Sequence, residues 1–127
     1  MFGEEKMFGK SQIAVDNKTR IILPKSTKRE EGDSLALLED REINIYRIYR
    51  AEEIEKTLDK LSEQINDSKT PEERKKYKQE LCDLSKSILR ISKVDKFGRI
   101  ILGDSFKNVK TVNVFGARDH LLLELKK

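Results

Sequence analysis

Two arginines, Arg20 and Arg99, each stand four residues after an aspartate, Asp16 and Asp95, and each opens a three-residue aliphatic run. A guanidinium at the mouth of a turn presents a flat fork of donors. That fork suits phosphate oxygens or a guanine edge, which a mobile lysine serves poorly. The aspartate belongs to the turn, because its short side chain can accept from nearby backbone amides. The same carboxylate can orient the guanidinium, so a structural role and a ligand-contacting role for Arg20 and Arg99 are compatible. Around them lie Lys18, Lys25, Lys28, Arg29, Lys96 and Lys107, cations of the kind that position a protein on phosphates without reading sequence. Six phosphates neutralised by this set would make log affinity fall with log salt at a slope of about −5.

The distribution of charge says more than its net value of +4. From Lys10 to Arg29 there are six basic residues and one acidic, and from Lys86 to Lys110 seven basic and two acidic. From Glu30 to Tyr49 the balance reverses, with six acidic residues against two basic. Positive charge therefore gathers on two heads, as an anion-binding surface requires. Chemistry of other kinds has little to work with. There is no glycine-rich phosphate loop, no Cys/His cluster at metal-ligand spacing and no nucleophile paired with a base, so no catalysis, metal or cofactor is expected. Aromatic residues make up 6% and do not interleave the basic heads, which disfavours a single-stranded nucleic acid ligand.

The elements that must hold these residues come from a repeat. Val15 to Pro24 and Val94 to Gly103 both run apolar, Asp, three residues, Arg, then an aliphatic triplet. The likeness continues from Leu35–Tyr46 to Val112–Leu123, so two units of roughly thirty-five residues bracket a stretch of different character. In each unit the pattern predicts a short strand, a turn at Asp16–Thr19 or Asp95–Gly98, and a strand over Ile21–Leu23 or Ile100–Leu102 buried on both faces. A hairpin follows, turning at Glu39–Glu42 or Gly116–Asp119. Lys25 to Glu31 reads as one or two helical turns stopped by Gly32.

Between the units the period changes. Ile54, Leu58, Leu61 and Ile65 form one helical stripe, and Tyr77, Leu81, Leu84 and Ile88 form another. Asn66–Lys69 breaks the first helix, and Thr70-Pro71-Glu72-Glu73 starts the second as a capping box. The stripes suit core or subunit contact. His120 is read as a strand residue beside the second hairpin, Cys82 as a packed or half-exposed thiol, and Arg41 and Arg118 as equivalent turn charges. A strand-turn-hairpin unit cannot cover its own apolar face, so two copies are expected to pair about a pseudo-twofold axis. That pairing would set the turns Asp16–Arg20 and Asp95–Arg99 side by side on one cationic face.

The second copy, Val94-Asp95-Lys96-Phe97-Gly98-Arg99-Ile100-Ile101-Leu102, resembles the D-x-x-G-R signature of AbrB/SpoVT-like DNA-binding proteins. The doubled motif, the helical insert and an opening Met-Phe-Gly together resemble the MraZ family, over about residues 7–125. The resemblance implies an α+β fold, a swapped-hairpin AbrB-like β-barrel made of two intrachain repeats. Its parts would be a first half at 7–49, a helical hairpin at 50–91 and a second half at 92–125, all within a single domain, 1–127. It also implies a sequence-specific double-stranded DNA-binding regulator of a division and cell-wall gene cluster, acting on repeated promoter boxes as a ring-like homo-oligomer. Asp16, Asp95 and Gly98 would be the structural turn residues. Three positions depart from the pattern: Thr19 stands where glycine is usual, Gly103 where proline is preferred, and Asn108 where a basic residue is common. A β-branched Thr19 would be strained if that position needs a positive φ, and with these departures the two halves would either engage DNA unequally or leave one half mainly structural. An AbrB-type antitoxin and an oligomeric scaffold without DNA binding are the competing functions. One cysteine, no apolar run near twenty residues and no hydrophobic leader predict a cytoplasmic, nucleoid-associated protein without a membrane partner or small-molecule substrate.

Overall fold

The computed structural model describes residues 10–24, 30–117 and 119–125. The chain is α+β. Its strands are β1 (Lys10–Ala14), β2 (Arg20–Ile22), β3 (Ser34–Asp40) and β4 (Ile45–Arg50), then β5 (Ile88–Lys93), β6 (Arg99–Ile101), β7 (Thr111–Gly116) and β8 (Leu121–Leu125). Helices α1 (Ala51–Asp67) and α2 (Pro71–Ser87) lie between β4 and β5, and a short 3-10 turn spans Asp104–Phe106. No helix among the described residues is long and apolar enough to cross a membrane.

Six strands form one antiparallel sheet in the order β1-β7-β8-β4-β3-β5, and β2 pairs with β6 in a separate two-stranded ribbon. Exchange every element of the first unit for its counterpart, β1 for β5 through β4 for β8, and the strand order becomes itself read backwards. The repeat in sequence is thus a repeat in space. The opening strand of each unit pairs with the hairpin of the other, β1 with β7 and β5 with β3, and β4 meets β8 at the centre. Neither unit could close its own ladder. The six-stranded sheet is open, with β1 and β5 at its edges.

Burial follows from what covers each face. Ile21, Leu23, Ile100 and Leu102 from the ribbon pack with Leu35, Leu37, Ile48, Val112, Val114, Leu121 and Leu123 from the sheet, and Phe106 fills the same core. The Phe106 ring lies 4.8 Å from that of Tyr46, tilted by 56°, an arrangement aromatic quadrupoles favour. The opposite face of β3 presents Ala36 and Leu38 to Ile54 of α1, with Leu58, Leu84 and Ile88 closing a second cluster. That double coverage is why Leu35-Ala36-Leu37-Leu38 is an unbroken apolar run rather than an alternating one. The helical start holds as read: the Thr70 hydroxyl accepts from the Glu73 amide at 3.1 Å, with Pro71 in the first turn.

Several sequence expectations shift. Ile22 and Ile101 are exposed, so the aliphatic triplets are buried on one face only, because none of the described residues forms a layer on the outer side of the ribbon. The first hairpin turns at 41–44 rather than Glu39–Glu42. There Asn44 takes a positive φ of 55°, a conformation its short polar side chain tolerates. Ile88 opens β5 instead of closing the helical stripe, and β5 begins four residues before the second unit was expected to resume. Gly32 does take the positive φ (90°) expected of a helix stop, but 25–29 lie outside the described residues.

Candidate nucleic-acid interface

The two turns are built alike. Asp16 Oδ1 accepts the backbone N–H groups of Lys18 (2.9 Å) and Arg20 (2.8 Å), while Oδ2 accepts from Arg20 Nε at 2.7 Å. Asp95 Oδ1 accepts from the amides of Phe97 and Arg99, both at 2.9 Å, and Oδ2 from Arg99 Nε at 2.8 Å. One carboxylate thereby closes the turn and fixes the guanidinium. Hydrogen bonds from the Arg20 backbone, Arg20 Nε and the Lys18 backbone lower the Asp16 pKa against an opposing effect of partial burial. At Asp95 burial raises the pKa, but the amides of Arg99 and Phe97 and the Arg99 side chain outweigh it and the net shift is downward. Both arginines spend only Nε on this clamp among the described residues.

The β2–β6 ladder then sets the arginines relative to one another. Arg20 faces Ile101, Ile21 faces Ile100 and Ile22 faces Arg99. Residues opposite each other share a face and neighbours along a strand alternate, so Arg20, Ile22, Arg99 and Ile101 lie together on the outer face while Ile21 and Ile100 enter the core. The outer face carries two arginines on one diagonal and two isoleucines on the other. The turns themselves are not side by side. They cap opposite ends of the ladder, where Leu102 N–H donates to the Thr19 carbonyl at 2.7 Å and Leu23 N–H to the Gly98 carbonyl at 3.0 Å. Antiparallel pairing brings the arginines together and sends the turn tips apart.

Thr19 is in the left-handed region at φ 59°, matching Gly98 at 76°. Its hydroxyl donates to the Lys18 carbonyl at 2.7 Å and accepts from the Gly103 amide at 3.1 Å, tying the first turn to the second unit. Lys18, Lys96 and Lys107 are exposed, as phosphate contacts must be. Lys25, Lys28 and Arg29 lie outside the described residues, as does Arg118.

The surroundings of the two turns differ. Val15, entering the first turn, donates its amide to the carbonyl of Lys110, and Val94, entering the second, donates to that of Asp33. Glu30 and Glu31 line a depression of about 320 Å³ with Lys96, Phe97 and Gly98. The continuous positive face expected from composition is therefore interrupted at the second turn, where two carboxylates stand with Lys96, while Lys18 is exposed at the first. The acidic run after Arg29 was visible in the sequence, but its approach to the second turn was not.

Phe97, 60% exposed, lies between Lys96 and Arg99, so the expectation that no aromatic residue interleaves the basic heads fails at the second turn. On the far side of the sheet, His120 is not isolated. Its Nδ1 lies 2.7 Å from Asp119 Oδ1, its Nε2 lies 3.3 Å from Arg47 Nη1, and its ring stacks on Tyr49 at 4.7 Å. The tautomer with the proton on Nδ1 satisfies both polar contacts. Arg41 pairs with Glu39 at 2.8 Å, and Cys82 is exposed. No group of histidine, cysteine or carboxylate side chains suited to a metal ion occurs among the described residues. No protein-family model matches the chain, and no curated protein is significantly similar to it.

Proposed function

We propose that the chain is a sequence-specific double-stranded DNA-binding protein of the swapped-hairpin, AbrB-like kind, and that the outer face of the β2–β6 ribbon is the surface that meets DNA. The observation that carries the reading is the pair of aspartate-clamped arginines on one exposed face. A two-stranded ribbon is narrow enough for the major groove, and a guanidinium oriented by a carboxylate reaches a guanine edge or phosphate with little rotamer entropy left to lose. The exchange of β1 and β5 between the units supports the swapped-hairpin assignment, since it is the pairing two interleaved half-barrels require. Regulation of a division and cell-wall gene cluster rests on the MraZ resemblance.

The same resemblance suggests assembly into a ring, so that several weak contacts act together on repeated boxes. The apolar stripe of α2, none of whose residues is fully buried, is consistent with a further contact between copies. The test is titration of a duplex from upstream of the chain's own gene, by fluorescence anisotropy at two salt concentrations. Arg20→Lys and Arg99→Lys keep the charge and lose the fork, and each should weaken binding by about 1–3 kcal/mol. Sedimentation should give an unchanged oligomer larger than 14.8 kDa. Unchanged affinity in both variants would remove the arginines from the interface.

A further inference from the structure

The two turns are built by the same hydrogen bonds yet carry different tips. Two residues after the aspartate the first turn has Lys18 and the second has Phe97. The Phe97 ring is the most exposed large apolar side chain among the described residues, at 60%. It is not loose. The Arg99 guanidinium carbon lies 4.8 Å from the ring centroid and Lys96 Nζ lies 5.2 Å from it, so two cations hold the ring by its π-face. Arg99 projects from the outer face of the ribbon, and its contact with the ring sets Phe97 at the border of that face. Ile22, 55% exposed, is the cross-strand partner of Arg99. Glu30 and Glu31 stand beside the same turn, where they oppose the approach of a phosphate.

Lys18 at the tip of the first turn, and Phe97 with Lys96 and two carboxylates around it at the second, divide the work of one interface. We infer that Phe97 is a specificity-determining residue that packs against a thymine methyl group in the major groove, whereas Lys18, its counterpart, contacts phosphate. The inference rests on the DNA-binding reading and gives the ribbon a direction on its site. Of the atoms lining the major groove, the thymine C5 methyl is the apolar one, and an exposed ring braced by cations matches it. A phosphate has nothing to gain from that ring, and Glu30 and Glu31 offset the attraction of Lys96 for one.

The experiment starts from a randomised duplex pool, from which the full-length protein selects its site. Affinities are then measured for the selected duplex and a shuffled duplex at several salt concentrations. Phe97→Ala should narrow the selected-to-shuffled ratio by about fourfold or more, the factor one buried methyl contact supplies, with the salt slope unchanged. Lys18→Ala should reduce the slope by about one and weaken both duplexes alike. The decisive probe is replacement of each thymine in the selected duplex by deoxyuridine, which lacks only the methyl group. One position should cost the wild type about fourfold and cost Phe97→Ala nothing. Phe97→Leu, which stays apolar, should retain part of the difference. If the wild type selects a site but Phe97→Ala keeps the full ratio, or every uracil substitution affects both proteins equally, the inference falls and the DNA reading stands. If Phe97→Ala instead lowers the oligomer size, the ring belongs to a protein interface and the inference falls as well. If the wild type enriches no sequence from the pool, the DNA reading falls and takes the inference with it.

Discussion

Thr19 offers a perturbation in which strain and hydrogen bonding can be separated. At φ 59° an L-residue with a branched side chain costs about 1–2 kcal/mol relative to the right-handed region. The hydroxyl offsets that cost by accepting the Gly103 amide at 3.1 Å, a bond that joins the two units. Thr19→Val keeps the branched Cβ in the left-handed region and leaves the Gly103 donor without its acceptor, a loss of about 1–3 kcal/mol. Thr19→Gly loses the same bond. It relieves the strain of about 1–2 kcal/mol and gives back about 0.5–1 kcal/mol through the flexibility of glycine in the unfolded chain. The valine variant should therefore lie about 2 kcal/mol below the wild type, and the glycine variant only a little over about 1 kcal/mol below it, although glycine removes more atoms. Urea denaturation with an unchanged m-value would measure both. In a domain of this size a 2 kcal/mol loss corresponds to a fall in Tm of roughly 5–10 °C. A glycine variant less stable than the valine variant by about 0.5–1 kcal/mol would refute the account, because that is the cost of glycine's flexibility with no strain to relieve.

Other outcomes follow from the same geometry. Asp16 and Asp95 have folded-state pKa values below the ordinary carboxylate range, so their contribution is present above about pH 4 and is lost as pH falls through the depressed values. Urea midpoints measured from pH 6 down to pH 3 should drop more steeply for the wild type than for the Asp16→Asn, Asp95→Asn double variant, and parallel curves would contradict the clamp. Thr70→Ala removes the hydroxyl that accepts the Glu73 amide and should cost about 1 kcal/mol. Thr70→Asp should recover most of it, and an alanine variant as stable as the wild type would show that α2 draws its stability from elsewhere.

Much of this protein can be read from the order of its residues. Asp16 and Asp95 at a fixed distance from an arginine and an aliphatic triplet define the same turn twice, because a short carboxylate and the backbone amides within four residues of it interact locally. Thr70-Pro71-Glu72-Glu73 starts a helix for an equally local reason, and the strain at Thr19 follows from alignment with Gly98. What depends on distant parts of the chain was not legible. Ile22 and Ile21 are chemically alike, and only the absence of a layer outside the ribbon leaves the first exposed and the second buried. The pairing of β1 with β7 and of β5 with β3 required knowing which unit closes the other's sheet. Glu30 and Glu31 read as an acidic run following a basic head, yet folding carries them to the opposite turn. Charge acts through space rather than along the chain, so the different tips of the two arginine-bearing turns could be read from the sequence, but the carboxylates beside the second were placed there by tertiary structure.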